Sequence, residues 1–193
     1  MLKTFEVWTD GCCFPNPGSG GWGFRIVQAG QVISEGSGGH PDATKDRMKL
    51  LGALFGIEAA VKLGARHIVV YSNSQYVVKG AMIYCPRWKH KAWAKVKNSD
   101  LWRLVHKLVH CERGVKIEFR QVRWDDSSQH NQAADARAEQ GRIRQRGARQ
   151  RPSSPLDQTD SRGITHRPRG NVETKCIGIP FWDAMPILAD STS

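Results

Sequence analysis

Residues 5–23 constrain the chain more than any other stretch. Phe5-Glu6-Val7-Trp8, with Leu2 ahead of it, is the apolar and aromatic run of a short strand, and the run stops at Asp10-Gly11. Turn formers follow: Asn16-Pro17-Gly18, Gly20-Gly21 and Gly23 bring the backbone round so that a second strand, Trp22 to Gln28, lies beside the first. A carboxylate at the lip of a buried strand, beside a glycine-rich loop, suits a metal ion or a sugar-phosphate backbone. It suits equally a turn in which Asp10 bonds its own backbone.

The next segments complete an α/β pattern. Gln31 to Ser37 predicts a third strand, closing an antiparallel meander. Thr44 is placed to cap a helix whose apolar positions include Met48, Leu51, Leu54, Phe55 and Val61, ended by Gly64. His67-Ile68-Val69-Val70-Tyr71 is a buried strand stopping at Ser72-Asn73-Ser74, and a helical crossover of this length makes it parallel to an earlier strand. A helix with Leu101, Trp102, Leu104, Val105 and Leu108 on its face follows a cap at Asn98, Ser99 or Asp100. Val115 to Val122 predicts a fifth strand, and Asn131 opens a last helix carrying Asp135.

Charge narrows the partners. Residues 1–141 hold 20 Lys or Arg against 13 Asp or Glu, and the rest of the chain is basic too, with a formal net charge of +11 overall. Such a balance suits a polyanion, most simply nucleic acid. Between Lys79 and Lys97, Tyr84, Trp88 and Trp93 alternate with Arg87, Lys89, His90, Lys91 and Lys95, and rings beside cations suit bases and sugars next to phosphates. Five cysteines without a CxxC pair fit neither a disulfide framework nor a zinc site, which favours a reducing cytoplasm. No window reads as a membrane span, and a monomer is expected. From Gly141 the periodic pattern fails; residues 142–193, rich in Arg, Gln, Ser and Pro, read as a disordered basic tail following a domain of residues 1–141.

Several spaced motifs, in this order, resemble the type 1, bacterial-type ribonuclease H family. They are Thr9-Asp10-Gly11 with Cys13, Asn16-Pro17-Gly18 and Gly20-Gly21; Arg47-Met48-Lys49-Leu50; Ser72-Asn73-Ser74-Gln75-Tyr76-Val77; Trp88-Lys89; Lys97-Asn98 with Asp100-Leu101-Trp102; and Asp135. The resemblance covers residues 1–141. It implies an α/β, ribonuclease H-like fold: a five-stranded mixed sheet with helices on both faces. It implies hydrolysis of the RNA strand of an RNA/DNA hybrid, with four carboxylates holding two Mg2+ (or Mn2+) ions.

Two of those four positions are changed. Asp10 and Asp135 match the family, whereas Lys49 stands where it has Glu and Asn73 where it has Asp. The formal charge of the set falls from about −4 to about −1. Asn73 can still offer a carbonyl oxygen, so Asp10, Asn73 and Asp135 remain as potential metal ligands. A charged Lys49 cannot ligate, and it can sit between the remaining groups as an internal counter-ion. Metal binding is therefore expected to be weak. Asp125 occupies the family's loop-His position, and none of His130, Asp46, Asp125 or Asp126 matches a missing role.

By the same resemblance, Cys13, Asn16 and Gln75 approach the minor groove and 2′-hydroxyls of the hybrid, Thr44 contacts a phosphate, and Trp88, Lys89, Lys91 and Trp93 belong to the basic binding segment. The leading expectation is a domain that binds hybrid and cleaves it little or not at all. An active enzyme with an altered metal site is one alternative, and a non-enzymatic general nucleic-acid binder is another.

Overall fold

Strands β1 (Thr4–Cys13), β2 (Gly18–Gln28) and β3 (Gln31–Ala43) form the expected antiparallel meander. Helix α1 (Lys45–Lys62) crosses to β4 (His67–Ser72), which pairs parallel with β1, and β5 (Lys116–Gln121) pairs parallel with β4. The sheet order is β3-β2-β1-β4-β5. The computed structural model describes residues 4–111, 114–123 and 128–149, all within the compact unit Met1–Ser154. Asp125, Asp126 and the tail beyond residue 149 lie outside the described residues.

Helix α1 begins where the sequence places it. Thr44 has extended backbone, and its Oγ1 accepts the Arg47 N–H at 3.4 Å, a side-chain cap for an otherwise orphan donor. Met48, Leu50, Ala53, Leu54, Ile57 and Ala60 are buried against β1 and β2 on one side and the following helices on the other. Helix α5 (Gln129–Arg149) covers the opposite face of the sheet, packing on β1, β2 and β3. No helix among the described residues is long and apolar enough to cross a membrane.

Four boundaries differ from the sequence reading, the first being that of β3, which runs to Ala43 and not to Ser37. Strand β1 runs past Asp10 to Cys13, with Gly11 opposite Trp22 and Cys13 opposite Gly20. Gly20, Gly21 and Gly23 therefore belong to β2 instead of to a turn; a Cβ at Gly21 would lie 2.1 Å from the Ala138 carbonyl oxygen of α5. Helix α5 also continues through Arg142 to Arg149, past the expected end at Gly141. What holds it there is close contact and charge, with little apolar period to betray it in the sequence. Arg137 pairs with Glu35 of β3, Arg142 bonds Glu139 one turn back at 2.5 Å, and Ser19 Oγ donates to the Arg142 carbonyl at 3.4 Å.

The tightest point of this packing is Gly141, where a Cβ would sit 2.0 Å from the Gly38 carbonyl oxygen of β3. Gly141→Ala is expected to lift α5 off the sheet and cost about 2–3 kcal/mol in urea unfolding, as overpacking of rigid backbone does.

Candidate active site

Strand β4 ends at Ser72, level with Thr9, while β1 continues to Cys13. Beyond that level one edge of β1 is open, at the carboxyl ends of two parallel strands, where α/β sheets place ligands. Asp10 borders this notch from β1, Asn73 follows directly after β4, and Lys49 reaches it from the second turn of α1.

The three side chains close on one another. Lys49 Nζ donates to Asp10 Oδ1 at 2.5 Å and also to Asn73 Oδ1. Asn73 Nδ2 donates to Asp10 Oδ2 at 3.0 Å, and the Gly11 N–H donates to Asp10 Oδ1 at 2.6 Å. Asp10 and Lys49 are only 6% and 9% exposed, so this is a buried ion pair with its lone pairs already engaged. Asp135, on the sheet-facing helix α5, reaches solvent, and its carboxylate makes no hydrogen bond among the described residues. Partial burial of its carboxyl, and next the charge of Asp10, hold Asp135 above the ordinary aspartate range, with Lys49 opposing.

This donor set does not fit the pair of ions that the resemblance implies. The oxygens of Asp10 and Asn73 that would face a cation already face an ammonium. Among the described residues no three His, Cys, Asp or Glu side chains gather closely enough to hold a metal.

Around the amino end of α1 the structure collects Cys13, Asn16 and Thr44. Asn16 Oδ1 accepts the Lys45 N–H at 3.1 Å, and Cys13 Sγ lies 3.2 Å from the Ala43 carbonyl, so the β1–β2 loop is tied to the helix start. Gln75 opens helix α2 (Gln75–Lys79) two residues after Asn73, is exposed, and accepts from Lys79 Nζ at 3.2 Å. The chain then widens into a π-helical turn over Gly80–Tyr84 and continues through α3 (Cys85–His90) to a left-handed run at Ala92, Trp93, Lys95 and Asn98. Lys89 and Lys91 are exposed there. Trp88 and Trp93 are half-buried: Trp88 meets Trp102 edge-on at 5.1 Å, and Trp93 meets His106 at 5.8 Å beneath the Arg103 guanidinium.

Two anchors of this basic arm were not singled out from sequence. Tyr76 Oη accepts from Trp102 Nε1 at 2.7 Å and from Asn98 Nδ2 at 3.1 Å, and donates to the Lys97 carbonyl at 3.0 Å. Arg47 holds Asp100, at the start of α4 (Ser99–His106), through two bonds of 3.1 and 2.7 Å. Burial alone would raise the Asp100 carboxyl, but the Arg47 bonds outweigh it and leave it below the ordinary range. The motifs contained all six residues; their pairing across 21 to 53 positions carried no local signal.

The ribonuclease H family model matches residues 3–143, a span holding Asp10, Lys49, Asn73, Asp135 and the whole basic arm. The chain belongs to the ribonuclease H family. A ribonuclease H of Pseudomonas fluorescens is 38% identical over 154 residues, covering 77% of this chain and 97% of that protein. One of Bordetella avium is 36% identical over 141 residues, covering 70% and 88%. Among solved structures, LC9-RNase H1, described as a type 1 RNase H with the type 2 active-site motif, superposes with a TM-score of 0.66 at 22% identity, over 75% of this chain and 74% of that one. The N-terminal RNase H domain of a Mycobacterium tuberculosis protein gives 0.62 at 23%, over 76% and 99%. At these identities the superpositions bear on the fold of this ribonuclease H-family chain alone.

Removing the ammonium should expose its worth. Lys49→Met is expected to cost about 3 kcal/mol in urea unfolding, because it leaves the Asp10 carboxylate buried without its counter-charge. The melting temperature of the unmodified protein is expected to be the same in EDTA as in excess Mg2+. Asp135→Asn should raise it by about 1 °C at pH 7. Since the folded carboxyl titrates high, ionisation is the costly state, and this gain should shrink as pH falls and both states become protonated.

Proposed function

We propose that this chain binds RNA/DNA hybrids as a ribonuclease H-family domain whose hydrolytic centre is closed by its own lysine. The observation that carries the reading is the Lys49 ammonium, bonded to both Asp10 and Asn73 where the family's resemblance calls for divalent ions. To enter, a metal must displace an ammonium that cannot diffuse away and must bind a set stripped of two carboxylates. Hydrolysis of the RNA strand is therefore lost or strongly reduced.

Binding depends on parts that this change leaves alone. The Nδ2 amide of Asn16 and the exposed Gln75 offer groove contacts, the amino end of α1 lies beside the Cys13–Thr44 cluster, and the arm from Lys79 to Lys97 supplies charge for backbone phosphates. Relatives of the same fold support the choice of ligand: LC11-RNase H1 has been solved with an RNA/DNA hybrid, and a foamy viral protease-reverse transcriptase with double-stranded DNA.

The deciding experiment is cleavage of a labelled hybrid in Mg2+ or Mn2+ by this protein and by Lys49→Glu combined with Asn73→Asp. Silence from the first and cleavage by the second is the expected result. Clear cleavage by the unmodified protein would overturn the closed-site reading. Equal affinity for hybrid and duplex DNA at matched salt would point instead to a general polyanion binder.

A further inference from the structure

Between α3 and α4 lies a cleft of about 530 Å³ lined by Pro86, Lys89, His90, His106 and His110. Its wall brings three imidazoles and an ammonium together, and none of the described residues lining it is acidic. His106 and His110 stand one helical turn apart, their ring centroids 5.1 Å from each other at a 41° tilt. His110 Nε2 lies 3.2 Å from the Ala81 carbonyl oxygen; that oxygen can only accept, so Nε2 carries the proton and Nδ1 is the atom that gains one on charging. Of the other charged groups on these segments, Arg87, Arg103, which is stacked over Trp93, and Lys107 are cations, and the acid of α4, Asp100, is held by the Arg47 guanidinium. Burial, then the neighbouring His110 and Lys89, holds His106 below the ordinary imidazole range.

While the cleft is empty, each positive charge added to it repels the others. An anion entering the cleft reverses that, and proton uptake and anion binding then strengthen each other by reciprocal linkage. We propose that the cleft between α3 and α4 is a phosphate-binding site gated by protonation of His90, His106 and His110, and that its occupant is a backbone phosphate of bound nucleic acid. The identity of the occupant rests on the hybrid-binding reading; the anion site itself does not. The volume accommodates a phosphate together with its sugar.

The test uses the full chain in two arms. Side-chain NMR of the histidines with inorganic phosphate, against chloride at equal ionic strength, is expected to show all three rings moving at pH 5.5 and none at pH 8. Hybrid affinity at fixed salt is expected to tighten about tenfold over the same pH range, and His90→Asn with His110→Gln to flatten that dependence. His90 is exposed, so His90→Asn alone keeps the test open if the double variant unfolds. Histidine signals unmoved by phosphate at pH 5.5 would overturn the site. Moving signals beside a pH-indifferent hybrid affinity would overturn nucleic acid as the occupant. Phosphate-sensitive histidines in a protein that binds no hybrid at any pH would sink the hybrid-binding reading and leave the anion site standing.

Discussion

Two helices lie on opposite faces of one sheet at a separation that only glycine permits. Gly11 of β1 meets the backbone of Met48 and Lys49 of α1, and Gly21 and Gly23 of β2 meet that of Ala134, Ala138 and Arg142 in α5. Close packing of this kind is rigid, since neither side has a side chain that can rotate away. It sets how far Lys49 stands from Asp10 and which turn of α5 passes over the notch. The geometry of the site is thus decided by backbone contacts, one directly beside Asp10 and Lys49 and the others several residues away.

Within that frame, Lys49 and Asn73 give the buried notch its own charge balance. An isolated Asp10 at 6% exposure would carry a heavy desolvation cost; with an ammonium, an amide and a backbone N–H around it, that cost is offset. Asp135 stays outside this arrangement, and its upward-shifted carboxyl registers first its partial burial and then the repulsion of Asp10.

Much of this was legible in the chain itself. The strand runs at Val7 and Val69, the cap at Thr44 and the crossover that makes β4 parallel follow from local pattern, and the spaced motifs located Asp10, Lys49, Asn73 and Asp135. The proximity of Lys49 to Asp10 and Asn73 followed from the resemblance, since helix and strand periodicity cannot bring residues 10, 49 and 73 together. The glycines of β2 misled because a glycine that admits a neighbouring helix looks the same as one that makes a turn. Helix α5 ran on beyond Gly141 because Ser19, Gly21 and Gly39, a hundred residues earlier, receive Arg142 and Gln145. Tyr76 and the histidine cleft depend on how α2, α3 and α4 fold over one another, which no single stretch encodes.

A bound metal obeys mass action and leaves when its concentration falls, whereas Lys49 is attached to the same chain as the carboxylate it neutralises. Its effective concentration at Asp10 is a property of the fold, on the millimolar scale or above for such tethers, and does not vary with the surrounding solution. The counter-charge of Asp10 thus arrives with the fold itself.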